Sequence, residues 1–298
     1  MKICIIFNPA ARGDKARRFH QHLRELAGAA ELRPTPRAGA AQQLAAEAVA
    51  EGFDTIVAAG GDGTVNEVLN GIVAHPDGLS RVRLGVLPLG TVNVFAQQLR
   101  LPTRFKQAWQ VICAGHERRI DLAEGELMLE GRPTRRCFVQ MAGAGVDSRA
   151  IALVDWAWKK QLGPLAYWRS GFQALAEPKA PVTVSDGQRS LTGHQVLIGN
   201  GRYYGGRLPV FPEADLTDGL LEVTVVPRAT LWALARGALG MLLGCLYSLG
   251  GAQHLRAGSL TLSSPSTVAL QMDGENVGYL PARIWVRPQA LRVVVPAR

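Results

Sequence analysis

The segment Ala58 to Gly71, AAGGDGTVNEVLNG, constrains the fold more than any other part of the 298-residue chain. Ahead of its glycines, FDTIVAAGG is a short continuous apolar run, the pattern of a strand buried on both faces. Beyond them, TVNEVLNGIVAH carries apolar residues at helical spacing, so the chain turns directly from strand into helix. Ligands of open parallel sheets gather at the carboxyl ends of strands. Gly60, Gly61 and Gly63 permit backbone conformations closed to other residues and leave no Cβ in the path of a ligand. Their N–H groups, with the N-terminus of the helix starting near Val65, can hold phosphate oxygens. Asp62 then stands beside bound phosphate, where a carboxylate is unfavourable without a cation, and reads as a Mg²⁺ contact, direct or through water. A plain turn in which Asp62 caps the helix is the competing reading.

The first 120 or so residues repeat this rhythm. KICIIFNP, FDTIVAAGG and VRLGVLPLG read as strands, and KARRFHQHLRELAG, AAQQLAAEAVAEG and TVNEVLNGIVAH as helices. Short buried strands between amphipathic helices predict a parallel sheet covered on both faces. Beyond Asp121 the pattern changes to short strands separated by turn residues: LMLEG, RCFVQMAG, VTVSDGQRSL, HQVLIGNG, LLEVTVV, SLTLSS, STVALQMDG and ARIWVRP. Helical stretches interrupt them near Asp147 to Ala176 and Thr230 to Leu249. The expectation is therefore an α/β domain over 1–123 followed by a mainly antiparallel β domain over 124–298.

Composition narrows the function classes. A hydrophobic content of 47% excludes a disordered chain, and 33 Lys and Arg against 24 Asp and Glu give a net charge of +9. That charge suits an anionic partner (nucleotide, membrane surface or nucleic acid) but equally serves solubility alone. Cys4, Cys113, Cys137 and Cys245 lie far apart without a CxxC pair, which points to reduced thiols and a cytosolic setting rather than a disulfide framework or zinc site. The apolar run in MKICIIFNPAARG is too short for a signal peptide and lacks a small-residue cleavage site. GALGMLLGCLYSLGG, Gly237 to Gly251, is too short and too interrupted to span a bilayer and is expected to be a packed helix.

Together these segments resemble the diacylglycerol kinase catalytic-domain family. GGDGTVNEVLNG is similar to its signature, IIFNPAARG to its first strand and Asn-Pro loop, and VLPLGTVNVFAQQL to its second phosphate-side loop. GNGRYYGGRLPVFPEADLTDGLLEV and VALQMDGENVG are similar to its C-terminal domain. The resemblance implies an α/β nucleotide domain, a β-sandwich domain and an active site in the cleft between them. It implies nucleotide contacts at Asn8, Thr35, Gly60, Gly61, Asp62, Gly63, Thr64, Val65, Asn66, Glu67 and Thr91. The catalytic set it implies is Glu275 as general base within Asp273-Gly274-Glu275, with Asp273 and Asp62; taken alone, Asp-Gly in a β region reads as a hairpin turn. It further implies a structural Mg²⁺ held by the Asp218 side chain with the carbonyls of Asp215 and Leu220, against an ordinary turn before a strand.

One position departs from the family. After GTVN the better-known members carry an aspartate, whereas this chain has Val94. Either Asp62, Asp121 and Glu275 suffice for the metal and water network, or activity is weak, or the chain has become a binding protein. Other candidates are poorer: GAGVDS, Gly143 to Ser148, lacks the third glycine of a dinucleotide fingerprint, and His20 and His22 fall on opposite sides of a helix. No GKS or GKT P-loop and no GxSxG elbow is present.

The segment DWAWKKQLGPLAYWRSGF, Asp155 to Phe172, interleaves tryptophans and a tyrosine with Lys159, Lys160 and Arg169. It suits either the headgroup level of a membrane or an interdomain core. The reading is a cytoplasmic, peripherally membrane-associated lipid kinase using Mg²⁺ and ATP. Its expected partners are ATP, a lipid substrate and an anionic membrane surface, with a homodimer left open and no nucleic acid. A soluble nucleotide kinase of the NAD kinase type and a catalytically silent lipid-binding regulator are the alternatives.

Overall fold

The computed structural model describes residues 1–9, 19, 28–146, 148–149, 179–243, 246–247 and 251–297. The chain divides into two units, the first made of Met1–Leu122, Gly205–Arg207 and Pro288–Arg298, the second of Ala123–Tyr204 and Leu208–Arg287. The expected helix over KARRFHQHLRELAG and the aromatic, basic segment Asp155 to Phe172 lie outside the described residues, apart from Phe19 and Gly28.

In the first unit, β1 (Ile3–Phe7), β2 (Glu31–Pro34), β3 (Thr55–Gly60) and β4 (Arg83–Pro88) form a parallel array in the order β4-β3-β1-β2. Every residue of β1 and β3 is buried, which is why both read as unbroken apolar runs rather than alternating ones. The helices are α1 (Ala40–Ala50), α2 (Asp62–Ala74), α3 (Gly78–Arg81), α4 (Val94–Gln98) and α5 (Phe105–Ala114). Helix α5 places Ala108 and Ile112 in a core with Ile5, Phe7, Val57 and Leu87. Beyond it, β5 (Glu117–Leu129) passes from the first unit into the second at Leu122.

The second unit is antiparallel. It contains β6 (Arg132–Phe138), β7 (Met141–Gly145), β8 (Val182–Ser185), β9 (Ser190–Gly193), β10 (Gln195–Gly199) and β11 (Leu221–Val226). Helix α6 (Leu231–Leu242) follows, then β12 (Gln253–Ala257), β13 (Ser259–Ser263), β14 (Ala269–Met272) and β15 (Glu275–Val294). The strand order β12-β11-β10-β7-β14-β15 is continued by β13, β8 and β9, and β5 pairs with both β6 and β15. Inward residues such as Val196, Ile198, Val223, Leu270 and Ile284 build its core. Strand β15 then carries the chain back: Pro288 onward belongs to the first unit, where Val293 pairs in parallel with Leu84 of β4.

In the first unit the Arg292 guanidinium grips Glu117, at 2.8 Å from Oε2, and holds that carboxyl below the usual glutamate range. In the second, the buried Glu222 accepts the Tyr247 hydroxyl on Oε1 and the Glu213 N–H at 2.8 Å on Oε2, and burial pushes its pKa up. Tyr247 stacks on His254, which burial holds toward its neutral form. The thiols of Cys4 and Cys137 are buried and pushed up to about 12, so neither is a thiolate near neutral pH.

The helical stretch expected near Thr230 to Leu249 forms as α6 from Leu231, and its part expected to be packed is only partly covered: Gly240 is buried, whereas Leu239 and Leu243 are exposed. Thr230 starts it by accepting the Ala233 N–H at 3.1 Å, a threonine cap ahead of Leu231.

Candidate active site

Strands β3 and β4 end side by side, with Gly60 opposite Pro88, and the Gly60 carbonyl accepts the N–H groups of Leu89 at 3.0 Å and Gly90 at 3.2 Å. The loops beyond them touch at two glycines. A Cβ on Gly90 would lie 2.5 Å from the Gly61 Cα and 2.7 Å from Asn93 Oδ1, so any side chain there would push the loops apart. Asn93 is buried in the left-handed region, at φ 55° and ψ 57°. Its Oδ1 accepts the Gly90 N–H at 2.8 Å while its Nδ2 donates to the Gly90 carbonyl at 2.6 Å. Asp62 crosses from the first loop to the second, its two oxygens accepting the N–H groups of Val94 and Phe95, each at 3.0 Å.

Asp62 thus caps the short helix α4 as well as opening α2. Each of its oxygens still has acceptor capacity, so it fits a Mg²⁺-bound water beside the loop. The glycines there serve differently from the sequence expectation. None of Gly60, Gly61 and Gly63 has a positive φ; Gly61 is extended at φ −94°. Gly60 is a glycine for close approach: a Cβ there would meet Thr64 Oγ1 at 2.3 Å. Helix α2 begins at Gly61 without a side-chain cap, so its first N–H groups are available to an anion.

The remaining nucleotide candidates divide into two groups. Asn8 follows β1, Thr35 follows β2 with its N–H on the Phe7 carbonyl at 2.8 Å, and the exposed Thr91 follows β4, so all three share the carboxyl edge with Gly60 to Thr64. Val65, Asn66 and Glu67 are committed to packing. Val65 and Asn66 are buried on α2, and Asn66 accepts the Asn70 side chain. Glu67 accepts the N–H groups of Gly39 at 2.9 Å and Ala41 at 3.0 Å, placing a carboxylate at the positive end of α1. Asn93 was not among the expected residues. Its signal was present, since an asparagine ahead of a short helix tolerates the left-handed region and pairs with local backbone.

In the second unit, Asp273 and Gly274 join β14 to β15 as a two-residue turn at φ 48° and 87°, with Met272 paired to Glu275. Left-handed backbone at both positions is the hairpin geometry that Asp-Gly favours. The Asp273 carboxylate accepts the N–H groups of Val139, Gln140 and Met141, each at 3.0 Å, so it fixes the chain leading into β7. Glu275, the first residue of β15, is exposed.

At the turn before β11, Asp215 Oδ1 accepts the Thr217 N–H at 2.9 Å and the Thr217 hydroxyl at 2.7 Å. Asp218 accepts the Leu220 N–H at 2.9 Å on Oδ1 and is ion-paired with Arg256 on Oδ2. The guanidinium already supplies the positive charge that a cation at Asp218 would bring, so this donor set fits a second Mg²⁺ poorly. Among the described residues, no group of three or more His, Cys, Asp or Glu side chains gathers to hold a metal.

Residues 2–124 match the diacylglycerol kinase catalytic domain, and residues 140–295 match the YegS C-terminal NAD kinase beta sandwich-like domain. A diacylglycerol kinase of Staphylococcus saprophyticus is 31% identical over 265 residues, covering 88% of this chain and 83% of that one. The chain belongs to the diacylglycerol kinase catalytic-domain family. A second diacylglycerol kinase, from Staphylococcus haemolyticus, is 32% identical over 273 residues, covering 88% of this chain and 77% of its own. In fold, the chain is similar to the crystal structure of a diacylglycerol kinase from Bacillus anthracis, with a TM-score of 0.77 at 24% identity, covering 99% of this chain and 97% of that one.

Within the diacylglycerol kinase family frame, the departure at Val94 leaves one contact with Asp62 in place. The group that Val94 presents to Asp62 is its backbone N–H, which any residue but proline supplies. Asp121 is fully buried, and its Oδ1 accepts the Gln289 N–H at 2.7 Å, tying β5 to the returning end of β15 within the first unit.

Proposed function

We propose that the chain is a Mg²⁺- and ATP-dependent lipid kinase that moves the γ-phosphoryl group of ATP to a lipid hydroxyl of the diacylglycerol, phosphatidylglycerol or sphingoid type. The observation that carries this reading is the pair of loops at 60–63 and 89–93, stitched together beside the uncapped start of α2 in a member of this family. The N–H groups and positive dipole end of α2 would take phosphate oxygens. Asn8, Thr35 and Thr91 would line the nucleotide. Asp62 would hold Mg²⁺ through water, and the bound ion would offset charge on the phosphates. No step is assigned to a second metal at Asp218.

Glu275 is the assigned general base. It accepts the lipid hydroxyl proton as that oxygen bonds to the γ-phosphorus and the bridging oxygen departs on ADP. Asp273 is a positioning residue, because its carboxylate is occupied by backbone N–H groups. The nucleotide groups would come from Met1–Leu122 and the base from Leu208–Arg287. The kinase would work in the cytoplasm, in peripheral contact with the membrane. Among the described residues no helix is long and apolar enough to cross a bilayer, and a peripheral contact requires none.

The test is phosphate transfer from labelled ATP across a panel of lipids, with NAD as a soluble acceptor. Glu275→Gln should lower lipid phosphorylation by about 10²-fold or more with the melting temperature unchanged. Near-normal turnover in that variant removes Glu275 from the role. Transfer to NAD but to no lipid replaces the reading with a soluble nucleotide kinase. Binding of ATP and vesicles without transfer replaces it with a silent regulator.

A further inference from the structure

Half of the exposed large apolar side chains among the described residues belong to one short segment: Leu231, Trp232, Leu239 and Leu243 are 59%, 71%, 48% and 63% exposed. At about 100° per residue these four, with the exposed Ala235 and Arg236, fall within an arc of roughly 140° on α6 and its first following turn. Gly240 lies outside that arc and is buried, whereas the arc turns a largely apolar stripe to solvent. Arg236 borders the stripe and the exposed Arg228 stands just ahead of it. No Asp or Glu occurs between Glu222 and Asp273, whereas Arg228, Arg236, His254 and Arg256 do.

We propose that α6 is a membrane-docking helix, seating Trp232, Leu239 and Leu243 at the headgroup and acyl boundary of an anionic phospholipid surface while Arg228 and Arg236 meet the headgroups. A leucine- and tryptophan-bearing stripe edged by arginine on an acid-free segment is the chemistry of an interfacial helix. A second copy of the chain suits the stripe less well. Twelve residues make a helix about 18 Å long and 10 Å wide, well short of the roughly 800 Å² per partner of a stable dimer. The proposal rests on the lipid kinase reading for its purpose, since a lipid hydroxyl must be collected from a bilayer, but not for its test.

That test is co-sedimentation of the full chain with phosphatidylcholine vesicles, with and without phosphatidylglycerol, alongside turnover on detergent-dispersed diacylglycerol. Trp232→Gln, Leu239→Gln and Leu243→Gln combined should weaken vesicle partitioning at least about tenfold, because three exposed apolar side chains lose their insertion. Melting temperature and turnover in detergent should stay at wild-type values. Arg228→Gln with Arg236→Gln should weaken binding to anionic vesicles roughly fivefold or more and leave neutral vesicles unaffected. Undiminished sedimentation of the triple variant overturns the proposal. So does conversion of a wild-type dimer to monomer with vesicle binding unchanged, which would make α6 an interface between copies. A wild-type chain that binds vesicles through α6 but phosphorylates no dispersed lipid leaves the docking helix standing and overturns the kinase reading instead.

Discussion

The two units solve one structural problem in opposite architectures. In the parallel unit, Asp62 ends one loop and takes two N–H groups of the next, Val94 and Phe95. In the antiparallel unit, Asp273 forms a hairpin turn and takes three, from Val139, Gln140 and Met141. Each site also contains a short polar residue in the left-handed region, Asn93 at φ 55° and Asp273 at φ 48°. The difference lies in what remains of the carboxylate. Asp62 has one N–H bond per oxygen beside an uncapped helix start, so it can both brace a loop and serve a cation-bound water. Asp273 is a brace, and the exposed carboxylate of its motif is the neighbour Glu275. The role of a carboxylate in a signature motif therefore follows from how many donors it already accepts, not from its presence.

This comparison is most strongly tested at Asp273. Asp273→Ala leaves three backbone donors in a buried stretch without their acceptor and should lower the unfolding free energy by about 3 kcal/mol or more. Urea titration would measure it; a loss below about 1 kcal/mol would deny Asp273 the bracing role. Asp62→Ala should cost less stability, about 2 kcal/mol. Its turnover should nevertheless fall further than Asp273→Ala once both are assayed well below their unfolding midpoints. Equal turnover losses at matched stability would erase the distinction between the two carboxylates.

Gly90→Ala tests the loop contact itself. The new Cβ meets Gly61 backbone, which cannot swing aside as a side chain would, so stability should drop by about 1 to 2 kcal/mol and ATP affinity with it. Calorimetric titration with unaltered ATP binding would show that the two loops need not touch.

The smallest effect is a difference in the sign of the pH response. Glu117 has its pKa lowered by Arg292, so its contribution is present above the unfolded glutamate pKa and is lost as pH falls through the folded value. Glu222 has its pKa raised by burial, so its contribution is present below the unfolded pKa and is lost as pH rises through the folded value. Arg292→Gln should therefore flatten the acid side of the stability profile. Glu222→Gln should gain on the wild type as pH climbs toward neutral. Thermal melts across the acidic range would resolve the two slopes, and slopes of the same sign would refute the assignment.

Much of this was legible in the residues. Buried parallel strands announce themselves as apolar runs, and β1, β3 and β4 fall where KICIIF, TIVAAG and RLGVLP place them. β2, with the sequence ELRP, carried no such signal because it lies at the sheet edge and buries little. The length of β15 was hidden as well, since its later residues alternate polar and apolar only weakly and pass between the units. At the site, strand-end residues such as Asn8 and Thr91 could be placed from the βα rhythm. Glu67 could not: its partners Gly39 and Ala41 are distant in sequence, and helix pairing alone brings them to it. Asn93 was visible as a residue type but not as a role, because its partner Gly90 depends on the contact with Gly61.

The return of β15 has a consequence for how the chain is born. Residues 1–122 leave the ribosome first, yet the strand that flanks β4 and the N–H that Asp121 accepts belong to residues 289–293. At elongation rates of about 5–20 residues per second that interval lasts on the order of ten seconds. Through it the nascent α/β unit must wait with one sheet edge unmade, a window in which chaperones or a neighbouring nascent strand compete for the same edge. Residues 123–287 can condense meanwhile, so the unit synthesised first is the one completed last.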